Sequence, residues 1–221
     1  MGFWEQVSGP FKLDKLGGNS AADWMLPKTS IKFVPAEYHS QSAIAAAFEL
    51  RPNIAGGKIQ KIEIETFKTA VEIIAKDPEK WRPKTRETAD HSLPYCTAVA
   101  LIDGQISAAQ FSEERLSDPA LLDLVSRTSV VEDPELTAGY PHGIPNRLTV
   151  TLDDGRVLVC EVSFPPGHDK NPLSDEQLAS KFHTLVDPVL GPEQAAIIAD
   201  RVGWLECDPN PHEVLSMLTP A

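Results

Sequence analysis

The sequence predicts an α+β fold in which a helical body is interrupted by a small α/β lid. Three observations carry this. An alanine-rich helical run from Ala36 to Leu50 lies between Pro35 and Pro52. Strand-like alternation follows at Ile62 and Ile64 and returns on both sides of Asp153-Asp154-Gly155. After a proline-rich loop from Pro165 to Pro172, helical patterning resumes and continues to the end. Helix, insert, helix is the order expected of a lid folded on a helical layer.

The first block, 1–55, reads as part of a helical domain with a loop at Gly17-Gly18-Asn19. Pro35 fits the first turn of a helix because it fixes its own φ and donates no amide hydrogen, and it pushes Val34 toward extended backbone. The run through Ala43, Ala45, Ala46 and Ala47 favours helix and close packing on a neighbour, with Pro52 as the stop. Ala55-Gly56-Gly57 is the hinge into the lid, 56–168. There a strand at Ile59–Ile64 leads to a helix over Thr69–Lys76 and a polar loop from Asp77 to Asp90. A helix follows over Pro94–Asp103, capped by Asp90 or Ser92, then one over Asp118–Val125 capped by Ser117. Strands at Ser129–Glu132, Arg147–Leu152 and Arg156–Ser163 complete the layer. Asp153-Asp154-Gly155 is the hairpin turn, since aspartate and glycine tolerate the left-handed backbone it needs. The third block, 169–221, opens on a capping box, Ser174-Asp175-Glu176-Gln177, before a helix with Leu178, Phe182 and Leu185 on one face. Gly191-Pro192 separates it from a helix at Glu193–Val202, and a short helix lies near His212–Met217.

Composition excludes several classes. With a net charge of -12 the chain offers no basic face for nucleic acid, and an acidic shell repels a polycarboxylate unless local cations attract it. No apolar run approaches the roughly 20 residues that cross a bilayer, and the start lacks a basic and apolar signal segment, so a cytoplasmic location without membrane attachment is expected. Cys96, Cys160 and Cys207 form no Cys-x-x-Cys pair, which suits a reducing compartment and leaves no iron–sulfur ligand set. They are expected to be buried packing residues. His39 and His91 are not at metal-ligand spacing, and no metal or cofactor is expected.

The candidate chemistry lies in Ser30–Gln41, which places Lys32, Glu37, His39 and Gln41 around Pro35. A helix start carries partial positive charge and free amide donors, so Lys32 beside it would seat a carboxylate. The plainer reading makes Glu37 a helix-dipole residue, Lys32 a solvated ion-pair partner and His39 a core histidine. A second candidate is Tyr95, in the first turn of the helix opened by Pro94. Its phenol would donate to an anion or simply pack, with His91 capping the same turn.

Ile31 to Gln41, together with Asp90-His91-Ser92-Leu93-Pro94-Tyr95 running into Ala98 to Gly104, resembles the MmgE/PrpD family. Val157–Val162 before Pro165-Pro166-Gly167, Asn171-Pro172-Leu173-Ser174 and Lys181-Phe182 agree with it. The resemblance implies a helical domain interrupted by a small lid, and a metal-independent hydro-lyase that removes water from 2-methylcitrate in propionate breakdown. It implies catalytic roles for Lys32, Tyr95, Glu37 and His39, and substrate contacts from Gln41 and His91. Lys32 would hold the carboxylate and the intermediate, and Tyr95 would act as acid or donor. The related decarboxylases of cis-aconitate carry histidine where this chain has Glu37, which favours the dehydratase over a decarboxylase or epimerase. Family members are about twice as long, and this chain opens on a stretch resembling the middle of their helical domain. The expectation is therefore an N-terminal helical half supplied as a separate chain, a homodimer, and inactivity of the isolated chain. A non-catalytic remnant or a subunit of a split enzyme is the alternative.

Overall fold

The computed structural model describes residue 9 and residues 24–219. Contacts divide the chain into Met1–Ser30 and Ile31–Ala221. The described part of the first unit contains a 3-10 turn, Leu26–Lys28. The expected Gly17-Gly18-Asn19 loop lies outside the described residues.

The second unit opens with a 3-10 turn at Tyr38–Ser40, then α1 (Gln41–Ile54), β1 (Ile59–Thr66), α2 (Lys68–Ile74), α3 (Pro78–Trp81), α4 (Arg86–Asp90) and α5 (Leu93–Asp103). After a 3-10 turn at Ala108–Phe111 come α6 (Glu113–Leu116), α7 (Pro119–Ser126), β2 (Thr128–Glu132), α8 (Pro134–Gly139), β3 (Asn146–Leu152) and β4 (Val157–Val162). The chain continues through α9 (Asp175–Leu190), α10 (Pro192–Gly203), a 3-10 turn at Leu205–Cys207 and α11 (Glu213–Ser216). The fold is α+β, as the sequence predicts. No helix among the described residues is long and apolar enough to cross a membrane.

The sheet has the order β2-β1-β3-β4. β1 pairs β2 in parallel, and β3 runs antiparallel to both β1 and β4. The parallel pair requires a long crossover, which α2 to α7 supply. Alternation gives the sheet one apolar face. Ile62 lies opposite Val150 and Ile64 opposite Leu148, all fully buried. That face is covered by α1 and α5, whose Ala43, Ile44, Ala46, Ala47, Leu93 and Val99 belong to the same core. On the opposite face Arg147 stands across from Glu65 on one strand and Glu161 on the other. It pairs with both and with Asp133. These are cross-strand charge pairs on a solvated surface, each of modest strength.

Helix α1, expected to belong to a helical domain ending at residue 55, packs on β3, β4 and α5. Pro52 lies inside its last turn rather than ending it, and termination comes at Ala55, whose φ of 30° is left-handed. The loop expected over Asp77–Asp90 contains α3 and α4. Each starts with a proline or a capping threonine, signals too short to register as periodicity. Ser92, not Asp90, caps α5, and Asp118, not Ser117, caps α7. The Ser174–Gln177 capping box forms as written, with both reciprocal bonds present.

Two of the three cysteines depart from the expected burial. Cys96 is buried and donates to the Ala89 carbonyl at 3.3 Å, Cys160 is half-buried, and Cys207 is exposed. Burial, with Glu49 3.2 Å from its sulfur, pushes the Cys160 thiol up to about 12. Packing in α9 is thin. None of its residues is buried, and Leu178, Leu185 and Val189 stay exposed, as do Ile197 and Val202 on α10.

Ala46 is fully buried in the core that α1 shares with the sheet and α5. Close approach requires its small side chain, so Ala46→Leu is expected to lower stability by about 1–3 kcal/mol in urea unfolding while leaving far-ultraviolet helicity unchanged.

Candidate functional site

The site is built on an irregular segment, residues 31–40, whose backbone is tied down atom by atom. At Pro35 the chain bends instead of entering a helix, and Ala36 N–H donates to the Val34 carbonyl across the proline at 2.9 Å. Gln41 then folds back over the bend. Its Nε2 donates to the Val34 and Ala36 carbonyls, each at 3.1 Å, and its Oε1 accepts from Val34 N–H at 3.4 Å. Glu37 caps the next turn by accepting from His39 N–H at 2.7 Å, while its own N–H donates to the Asp90 carbonyl at 2.8 Å. Helix α1 therefore starts at Gln41 rather than at Pro35. Its first turn, Gln41 to Ala43, is buried, so the expected carboxylate seat at a helix start beside Lys32 does not form.

Two ties hold the upstream end. Ile31 N–H donates to the Gly167 carbonyl at 2.7 Å, and Lys181 Nζ donates to the Lys32 carbonyl at 2.5 Å. Gly167 has φ of +86°, and a Cβ there would stand 1.9 Å from the Ile31 carbonyl oxygen. Only glycine allows this approach. Lys32 lines a groove of about 720 Å³. Phe33, Phe48, Ile106, Leu173 and Leu185 give it apolar walls, and Ser107, Gln177, Ser180 and Lys181 give it polar groups.

Of the residues expected to form the site, Lys32 alone lines this groove. Gln41 is buried, and both its amide hydrogens are used in the bend. Tyr95 is not presented to a cleft either. It is fully buried and its hydroxyl donates to the Gln110 carbonyl at 2.7 Å. Burial drives its pKa upward, against the opposing charge of Arg115, so the phenol stays protonated. Its influence on the groove is indirect, since the Gln110 side chain accepts from Ser107 N–H at 2.9 Å and Ser107 lines the wall. His91 is about half exposed and turned to its own helix, with Nδ1 2.5 Å from Asp90 Oδ1 and 3.2 Å from the Glu87 carbonyl.

Glu37 and His39 form a separate pair in the same segment. His39 Nδ1 lies 2.9 Å from Glu37 Oε1, off the line of a well-directed hydrogen bond, and its ring packs edge-on to Phe67 and Tyr140. Burial would raise the Glu37 pKa. The ring nitrogen, the charge and the backbone N–H of His39 together outweigh burial and hold the carboxyl below its ordinary 4.5. Sequence reasoning missed Gly167 and Lys181 as site residues, because no local spacing joins a lysine to a carbonyl 149 residues away.

The MmgE/PrpD C-terminal domain matches residues 34–203 of this chain. The chain belongs to the MmgE/PrpD family. A 2-methylcitrate dehydratase of Cupriavidus necator is 33% identical over 221 residues, covering 94% of this chain and 44% of that protein. A 2-methylcitrate dehydratase of Salmonella typhimurium is 33% identical over 168 residues, covering 72% of this chain and 34% of its own length. A mitochondrial 2-methylcitrate dehydratase of Yarrowia lipolytica is 31% identical over 76% of this chain and 33% of its own. This MmgE/PrpD chain thus spans less than half the length of the curated relatives it matches.

Two outcomes follow from the ties. Gly167→Ala adds a left-handed alanine and a collision with residue 31, so it is expected to cost about 2 kcal/mol or more in urea unfolding. Because the folded Glu37 pKa is depressed, its stabilisation is complete above the ordinary glutamate range and is lost as pH falls through the lower folded value. Glu37→Gln should therefore flatten the fall in stability on acidification below about pH 5 and cost about 1 kcal/mol at neutral pH through the weakened cap.

Proposed function

We propose that this chain contributes to a dehydratase acting on 2-methylcitrate, working with a helical half supplied in addition to it. The observation that carries the reading is Lys32. Its carbonyl accepts from Lys181, the residue before it is tied to Gly167, and Lys32 lines a groove in a chain of net charge -12.

Loss of water from a tricarboxylic acid needs a base for a proton next to a carboxylate, cations for the anionic intermediate and an acid for the departing hydroxyl. Lys32 serves the second need. The Glu37–His39 pair, held in the same segment, orients or relays protons, and the base comes from the helical half. Tyr95, Gln41 and His91 support the scaffold in this reading. The exposed apolar residues of α9 and α10 favour further helices against that hairpin, and a homodimer is part of the same assembly.

The test is an assay with 2-methylcitrate, citrate and cis-aconitate side by side, with and without the helical half. Water loss from 2-methylcitrate is expected only when that half is present, and Lys32→Ala should lower kcat/KM by about 10²–10³-fold. Release of carbon dioxide from cis-aconitate would instead support the decarboxylase reading, against which Glu37 stands. Full activity of Lys32→Ala would remove the central role given to that residue.

A further inference from the structure

Lys181 has a place in the groove that its role as a backbone tie leaves unused. One of its three N–H donors reaches the Lys32 carbonyl, so two remain for another acceptor. Lys181 and Lys32 both line the groove. Among the described residues neither ammonium group has a carboxylate within ion-pair distance. The acidic residue in the lining, Glu176, is turned to the Ser174 side chain, which lowers its pKa. Two lysines thus line one groove in a chain with 32 acidic and 20 basic residues, where scattered carboxylates would ordinarily neutralise them. Burial and the charge of Lys32 both lower the Lys181 pKa, so the pair repels itself as it stands.

An anion between the two groups would reverse that repulsion. A single carboxylate would satisfy one ammonium, whereas a molecule carrying two or more carboxylates could engage both. The apolar walls beside the lysines exclude a ligand that is charged all round and favour one with an aliphatic part. We infer that Lys32 and Lys181 form a two-cation seat that takes two carboxylate groups of one small polycarboxylate, with its alkyl portion against Phe33, Phe48 and Leu173. This deepens the dehydratase reading and rests on it for the ligand class. Lys181 is then a substrate-binding residue as well as the tie that holds Lys32 in position.

The test uses binding to the full chain, so that it stands apart from turnover. With lysines labelled at 13Cε, citrate is titrated in at low salt, with acetate as the monocarboxylate control, and signals are assigned through Lys32→Arg and Lys181→Arg. Citrate is expected to shift both signals with one common Kd, to raise the Lys181 pKa, and to bind at least tenfold more tightly than acetate. Lys181→Met should weaken citrate at least tenfold, while Lys58→Met, outside the groove, should leave it unchanged. A shift of Lys32 alone, an unchanged Lys181 pKa in the wild-type chain, or equal binding of acetate and citrate would overturn the inference even if Lys181→Met failed to fold. Two-lysine binding without turnover in the complemented assay would count against the dehydratase reading only. Turnover with citrate bound through Lys32 alone would count against the seat only.

Discussion

A buried carboxamide is the constraint on which the site depends. The segment from residue 31 to residue 40 has no regular ladder, and Pro35 removes one of its donors. Backbone polar groups taken from water need partners, and an irregular stretch must find them one at a time. Gln41 supplies three of these bonds from one side chain, engaging both polar groups of Val34 and the carbonyl of Ala36. It can do so because it stands at the first position of α1, whose alanines anchor the helix deep in the core. The rigidity of the helix is transferred to the bend, and the bend fixes where Lys32 and Phe33 emerge.

The same logic repeats upstream. Residues 31 and 32 are held by elements from the far end of the sequence, a glycine-containing loop and a lysine on α9. The segment is therefore a junction where the start, the sheet connection and the C-terminal hairpin of the second unit meet. Tyr95 belongs to this framework. Its hydroxyl orders the turn carrying Gln110, which in turn sets Ser107 on the groove wall. The phenol is enclosed, and its hydroxyl already donates within this framework.

Electrostatics divides the segment into two parts with different tasks. Glu37 and His39 form a nearly enclosed pair whose mutual attraction offsets the cost of burying the carboxylate. Lys32 and Lys181 both line the groove, and among the described residues neither has a carboxylate at ion-pair distance. The first arrangement is neutralised within the segment; the second is not, and the proposed seat draws on that difference. Both follow from one placement of the chain around Pro35.

Much of this was determined by the sequence alone. The alternation of β3, the Asp153-Asp154-Gly155 turn, the Ser174 capping box and the alanine run are local signals whose cause and effect lie within a few residues, and the motifs around Lys32 and Tyr95 were specific enough to identify the family. Helix α1 starts later than the sequence predicts because Pro35 is compatible with both a first helical turn and a bend, and Gln41 decides between them from six residues away. Exposure of Tyr95, the freedom of Gln41 and the approach of Lys181 to Lys32 depended on contacts spanning up to 149 residues. Only the tertiary structure could decide those, since burial and long-range hydrogen bonding arise from how separate elements pack, and that packing leaves no periodic trace in the chain.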